Sequence, residues 1–254
     1  LSQHQYILST EEYLGEEKVD ERALLSRERV LRRRLAQLSE KIPSVYENEL
    51  GQIGMFPCQK GIQTRKAVIK EILDCEYGLL ECSLLRDAGK EKWPEKEGKT
   101  FLKIWSGQRL DEEEKDGPYR VYGAAGVQGS ARTATMKEEQ AILIGRVGSY
   151  CGAVYKAWTK GFVSDNVMLA GAVENEAEED FLLLVLRAAH FNAEKRGSVQ
   201  PYITKDIVLK RKYYLPELVR QQKFLSKNQE MFEKIREQEK EVEELSVESD
   251  RLRS

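Results

Sequence analysis

The chain has 254 residues, a third of them charged, and a formal net charge of −2. That length can bury one large core or two smaller ones, and the near-neutral balance excludes a wholly basic nucleic-acid binder, so any affinity for nucleic acid has to come from local charge. The four cysteines, Cys58, Cys75, Cys82 and Cys151, are scattered without a C-x-x-C pair, which reads as reduced cytoplasmic thiols and not as a disulfide frame or a zinc site.

In chain order, residues 1–20 are polar and acidic, lack apolar periodicity and do not read as a signal peptide. Residues 21–97 form a helical spacer region. Within it Leu24, Leu31, Leu35, Leu38 and Ile42 recur at helical spacing up to Pro43, which is expected to end the helix. The other faces carry Arg27, Arg29, Arg32, Arg33 and Arg34, a run that reads first as a solvated helix face and only second as a phosphate contact. A further helix covers Thr64 to Leu85, with Gly78 as a point where it divides in two.

After the polar linker KEKWPEKEGK the character changes. Over residues 98–216 the runs YRVY, AILIGRV and AVY are rich in β-branched and aromatic residues and read as strands. GAAGVQGSART, GSYCG and KAWTKG read as the glycine-rich loops between them. Arg120, Arg132, Lys137, Arg146, Lys156 and Lys160 outnumber Glu138, Glu139 and Asp165 in this stretch, a local excess suited to phosphate contact. FLLLVL, at Phe181–Leu186, is too short to span a bilayer, so no membrane partner is expected. From 217 to 254 a single coiled-coil-like helix is expected, entered at Pro216. Its heptad stripe of Leu218, Leu225, Phe232, Ile235 and Val242 continues in shifted phase through Leu245 and Leu252. So narrow a stripe needs a partner helix, either the arginine-rich helix of the same chain or a second copy.

The order G-x-YRVYGAAGVQG, ILIGRVGSYCGAVY, FVSDNVML, G-S-x-Q-P-x-I and a strand ending at Leu215-Pro216 resembles the target-recognition domain of type I restriction–modification specificity subunits. The resemblance covers roughly Lys99 to Leu225, and Tyr213-Tyr214 departs from it where the family is more aliphatic. Residues 1–20 resemble the tail of the methyltransferase subunits of the same systems through Tyr6, Ile7, Leu8, Ser9, Tyr13, Leu14 and Gly15. The resemblance implies an α/β (α+β) fold, with a β-rich recognition domain between long helices. It also implies a sequence-specific reader of double-stranded DNA that directs an adenine methyltransferase, together with a restriction endonuclease in some systems. The chain itself would be non-catalytic and cytoplasmic, with S-adenosylmethionine held by the partner or fused methyltransferase. Only one recognition domain is visible. The chain is therefore either a half-subunit that dimerises or the end of a fused methyltransferase–specificity enzyme; a coiled-coil protein-binding adaptor is the reading from a different class.

No residue set reads as catalytic. Gly123, Gly126 and Gly129 do not have dinucleotide-loop spacing, and no Walker lysine follows them. Cys151 with His190 is a poor nucleophile pair, and Cys151 is expected to be a small buried residue in a strand. The acids Asp111 to Glu114 and Glu174 to Asp180 read as solvated loops and not as a metal site. N-P-P-[YF] and D-P-P-[YF], the adenine-holding motifs, are absent. The expected DNA-binding set is Gln128, Ser130, Arg132, Thr133, Arg146, Ser149, Tyr150, Lys156, Trp158 and Lys160, types that pair with base edges and phosphates. Lys205, Lys210 and Lys212 are expected to contribute phosphate contacts.

Overall fold

The computed structural model describes residues 20–48, 55–112, 115–194 and 201–251, with backbone alone for 39–48, 55–59, 194 and 251. Helix α1 (Glu21–Asn48) is one-faced: Leu24, Leu31, Leu35 and Leu38 turn inward. It runs on through Pro43, where a break was expected, because a proline removes one backbone hydrogen bond without ending a helix held on both sides. Helix α2 (Met55–Glu91) is likewise unbroken at Gly78. A Cβ at that position would stand 2.9 Å from a Leu24 methyl carbon, so the glycine marks the place where α1 crosses closest.

Helix α2 is apolar on two faces, which makes it a central element. Val68, Ile72 and Cys75 meet Leu31 of α1, while Ile69, Leu73, Tyr77, Leu80 and Leu84 enter the main core with the sheet domain. Ion pairs of Arg27 with Glu71 (3.1 Å), Arg86 with Glu21 (2.6 Å) and Arg32 with Glu76 flank the seam with α1.

The chain then forms three small sheets in an α+β arrangement. Strands β2 (Leu102–Ser106), β5 (Ala141–Gly145), β6 (Val154–Ala157) and β8 (Val167–Ala172) make an antiparallel sheet in the order β2-β8-β5-β6. Side chains alternate across it. Ile142, Ile144, Met168 and Ala170 face the main core, and Leu143 and Val167 face a second cluster around Tyr122 and Val163. That second cluster is covered by β3 (Lys115–Gly123), β4 (Gly126–Ala131) and β7 (Gly161–Val163), with β3 and β7 parallel. Strand β1 (Glu95–Glu97) pairs with β9 (Lys212–Tyr214) where the chain enters and leaves the domain. The tyrosine that departs from the family pattern, Tyr213, is buried there: its hydroxyl donates to Val208 O at 2.8 Å and its ring stands edge-on to Phe101. Helix α3 (Glu179–Ala188) contains the FLLLVL run and fills the core beneath β6 and β8, and the short α4 (Lys205–Lys210) precedes β9.

The C-terminal region is two helices, not one: α5 (Leu218–Lys227) and α6 (Gln229–Arg251). Asn228 leaves the helical conformation and its side-chain amide donates to Phe224 O at 2.9 Å, after which its own carbonyl accepts from Phe232 N to start the next helix. The break changes the phase of the apolar stripe. Gln221 and Phe224 are therefore the buried residues of α5, with Leu218 and Leu225 only half-buried. Pro216 stands one residue before the N-cap Glu217 and not in the first turn. Phe232 and Ile235 enter the main core, with Val242 and Leu245 packed at its margin. Their partner is α2, not the arginine-rich α1: Tyr77 donates to Glu239 at 2.8 Å, Arg65 to Glu241 at 2.7 Å and Lys227 to Asp87 at 2.8 Å.

Glu239 sits deepest in this seam, with one carboxylate oxygen out of reach of solvent. Burial pushes its carboxyl above the ordinary 4.5, opposed by the Arg187 charge and the Tyr77 hydroxyl. Burial also raises Asp74 and Glu76 on α2. The folded-state value of these groups is the higher one. The folded chain thus keeps protons that the unfolded chain has released, and stability falls as pH rises from about the unfolded value through the folded one. Replacing Glu239 by Gln should therefore reduce the loss of thermal midpoint between pH 5 and pH 8, as measured by circular dichroism. Phe232→Ala opens a cavity between α2, α3 and α6 and should lower the unfolding free energy by about 3–5 kcal/mol in urea titrations.

Candidate nucleic-acid interface

Of the expected contact residues, Arg146, Ser149 and Tyr150 lie at one end of the sheet domain, and Arg132, Thr133 and Lys160 at the other. At one end is the loop between β5 and β6, shaped by Gly148 (φ +79°) and Gly152 (φ +86°), whose positive φ suits glycine. Two successive turns, Cys151 N to Gly148 O at 3.0 Å and Ala153 N to Tyr150 O at 3.0 Å, tighten it. Arg146 is anchored through its backbone: its N–H donates to Asn166 O at 2.8 Å and its carbonyl accepts from Ile203 N at 2.9 Å. Its side chain is exposed, as are those of Ser149 and Tyr150. The carbonyl also accepts from Cys151 Sγ at 3.4 Å, so Cys151 is buried as expected but in a turn, not a strand.

Val147 pairs with Tyr202, and Ile203 N bonds to the Arg146 carbonyl, which brings a second exposed aromatic, Tyr202, to the loop that carries Tyr150. An exposed arginine on a loop with exposed aromatic residues combines a bidentate donor with stacking surface. Sequence reading missed Tyr202; an aromatic two residues before a helix cap carries no signal of which loop it will face. Trp105 on the edge strand β2 was missed for the same reason and is half exposed. The β3–β4 hairpin tip closes on the same end, since a Cβ on Gly145 would stand 3.4 Å from Ala124 Cβ. The loop expected over GAAGVQGSART shrinks to Ala124 and Ala125, because Gly126–Ala131 pairs with β3. Gln128 and Ser130 consequently project from a strand, with Gln128 exposed and lying over Gly123.

At the other end Arg132 and Thr133 follow β4 and are exposed, and Lys160 is half-buried ahead of β7. Among the described residues, Arg109, Arg132, Lys137, Arg146 and Lys160 have no carboxylate partner, whereas Arg27, Arg32, Arg65, Lys227 and Arg236 of the helices do. Lys205 opens α4, joined to the Arg146 loop through residues 201–203. Lys210 is paired with Asp206 at 3.3 Å and Lys212 lies on β9 beside Glu97, both away from the loops.

Two expected contacts are spent inside the protein. Lys156 is buried and held between Glu179 (3.3 Å) and Asp180 (3.4 Å), because α3 brings its acidic first turn under β6. The acids of that cluster are thus structural partners and not solvated loops; Asp180 also takes Arg236 of α6 at 2.9 Å. Trp158 faces α6, its ring lying 4.5 Å from Lys156 Nζ and 5.2 Å from Lys240 Nζ. Its backbone N–H donates to Glu243 at 3.0 Å. Glu243 is nearly fully buried, and it also takes Arg120, the Tyr122 hydroxyl (2.8 Å) and the Thr159 hydroxyl (2.9 Å). One carboxylate of α6 thereby fixes β3 and the Trp158–Thr159 segment to the helices. Burial and the Glu243 charge push the Tyr122 hydroxyl well above its usual range.

Between the hairpin tip, the Ser149–Tyr155 segment and the helices lies a cleft of about 650 Å3. Its carboxylates outnumber its cations: Lys70, lowered by burial, Lys156 and Arg187 stand against Asp74, Glu81, Glu239 and Glu243. It offers no excess of positive charge for a phosphate. At its rim His190 is paired with Glu81 at 2.6 Å. Among the described residues no group of three His, Cys, Asp or Glu is placed to hold a metal, and no helix is long and apolar enough to cross a membrane. Residues 6–15 and 197–200, which carry parts of the two resemblances, lie outside the described residues, as do Leu252 and the Cys58 side chain.

No protein-family model and no curated protein matches this sequence. Solved structures do. The specificity (S) subunit of a type I restriction–modification system from M. genitalium superposes with a TM-score of 0.54 at 16% identity, over 78% of this chain and 56% of that one. A structure described for complex assembly and conformational transition of the type I system gives 0.47 at 14% identity, over 78% and 55%. The HsdS subunit of Thermoanaerobacter tengcongensis gives 0.48 at 12%, over 77% and 56%. The chain spans just over half the length of these proteins. With its single sheet domain set against long helices, it has the fold of a type I restriction–modification specificity subunit.

Proposed function

We propose that the sheet domain reads duplex DNA as the specificity element of a restriction–modification system. It directs an adenine methyltransferase, which holds S-adenosylmethionine, and in a complete system an endonuclease, while performing no chemistry itself. The observation that carries this reading is the set of cations without carboxylate partners on the sheet domain, among them Arg146 on the loop that also carries the exposed Tyr150 and pairs with the segment of Tyr202. The overall charge of the chain is −2, so a local excess left unpaired on rigid loops is what a polyanion would neutralise. Arg146 is the base-reading candidate because its backbone is fixed at both ends while the guanidinium is free to form two parallel hydrogen bonds. Arg132 and Lys160 fit phosphate contacts that set register. Lys156 and Trp158 hold α6 in place instead.

The test is DNA binding by the chain with its methyltransferase partner, read by fluorescence anisotropy over a salt series, together with methylation mapping in cells with and without the gene. Affinity should fall linearly with the logarithm of salt. Arg146→Ala should weaken target binding by about 1–3 kcal/mol and relax the methylated sequence at one position. Arg132→Ala should weaken all sequences alike. Lys156→Ala should instead lower the melting temperature, since it leaves Glu179 and Asp180 without their common partner. Unchanged methylation after Arg146→Ala, with binding insensitive to salt, would refute the proposal.

A further inference from the structure

The turn that joins β7 to β8 stands beside the Arg146 loop and carries two polar side chains, Asp165 and Asn166, that no contact inside the protein uses. Past the last registered pair of β5 and β8, Gly145 with Val167, the ladder takes one more step: the Arg146 N–H donates to Asn166 O at 2.8 Å. Residues directly opposite in an antiparallel ladder project to the same face, with Cβ atoms about 4.5–5.5 Å apart. The Asn166 amide is thereby set beside the Arg146 side chain. Asp165 and Asn166 are exposed, and among the described residues their side chains have no hydrogen-bond or ion-pair partner.

The fold does not need an asparagine at this position. Asn166 is not among the residues with positive φ, so the turn makes no demand for a side chain that tolerates the left-handed region. Nor does the amide close the turn by bonding to the backbone, as asparagine side chains in turns often do; the Val167 N–H closes it on Ser164 O at 3.1 Å. The turn is nevertheless firmly held. Ser164 and Val167 are buried at its two ends, and Gly107 passes so close that a Cβ there would clash with Ser164 O.

We infer that Asn166 reads an adenine in the base pair next to the one contacted by Arg146, so that the target of this chain holds guanine and adenine in adjoining pairs; the inference rests on the DNA reading given above. An amide both accepts from adenine N6 and donates to adenine N7, as a guanidinium donates twice to guanine O6 and N7. Successive base pairs rise about 3.4 Å, so side chains about 5 Å apart on neighbouring strands reach neighbouring pairs. Asp165 at the head of the turn argues against a phosphate there. A carboxylate repels the DNA backbone, whereas in the groove it accepts from the amino group of a base.

The test uses the chain with its methyltransferase partner, by methylation mapping in cells and by fluorescence anisotropy on the mapped target over a salt series. Asn166→Ala should weaken binding to that target about tenfold to a hundredfold and let other bases replace one adenine of the methylated sequence, in the pair adjoining the one relaxed by Arg146→Ala. The slope of affinity against salt should not change, since no phosphate contact is lost. Asn166→Asp keeps the size of the side chain but removes the donor to N7. It should lose the same adenine, and it carries the test if the alanine variant does not fold. If Arg146→Ala relaxes a guanine while both Asn166 variants leave the sequence unchanged, the inference falls and the DNA reading stands. It falls likewise if the position relaxed at Asn166 is not an adenine or does not adjoin that of Arg146, or if the salt slope drops by about one, the mark of a phosphate contact. If Arg146→Ala has no effect and binding is insensitive to salt, the DNA reading itself fails and this inference with it.

Discussion

Helix α2 has no solvent-facing apolar stripe to spare: it is apolar on two sides, and everything else is arranged to cover them. One side accepts α1 around Leu31, the other accepts α3, the large sheet and α6. A helix of this kind has no stable existence by itself in water, so the N-terminal helix, the sheet domain and the C-terminal helix form together. The main core runs without interruption from Ile69 on α2 through Ile142 and Met168 on the sheet to Ile235 on α6. The reading loops are therefore carried on a frame whose rigidity is set by segments nearly 170 residues apart in sequence.

The polar groups divide along the same lines. Carboxylates turned inward are consumed by specific donors: Glu243 by four groups of the sheet domain, Glu239 by Tyr77, and Asp180 by Lys156 and Arg236. Gln221, fully buried, accepts from Glu178 N at 2.9 Å and donates to Pro216 O at 2.7 Å, which joins the start of α3 to the start of α5. Among the described residues, the exposed charges without a partner include Arg132 and Arg146 on the sheet domain, Arg22, Arg29 and Arg33 on α1, and Glu230, Glu237 and Glu244 on α6. A chain of nearly zero net charge can in this way present a cationic loop surface, a cationic helix and an anionic helix at once, and bulk composition averages the three away.

Where the physics was local, the residues read correctly. The helical periodicity around Leu24 and Leu31, the strands at YRVY and AILIG and the order of segments that resembles the specificity subunits all have counterparts in the fold. What failed was non-local. Gly78 looked like a break because spacing cannot reveal that Leu24 needs the room. Lys156 looked like a free cation because its partners lie 23 and 24 residues on, brought near only by α3. The glycines after Tyr122 read as loop, yet hydrogen bonding to β3 extends them into a strand. The narrow C-terminal stripe did signal a partner helix, but its identity depended on the second face of α2, visible only as an unusually dense apolar pattern.

Asn228 makes the C-terminal helix sensitive to counting. Because the chain leaves and re-enters helical geometry there, everything from Gln229 onward is phased from that residue. Removing one residue between Asn228 and Glu239 would turn the remainder of α6 by about 100°, withdrawing Glu243 from the sheet domain and putting the outward Glu244 in its place; adding one would put Val242 there. A seven-residue addition beyond Glu243 would nearly restore the phase and displace the end of the helix by about 10 Å. Length variation in this helix is thus tolerated only in near-whole turns, and each permitted step changes reach without changing which face is shown.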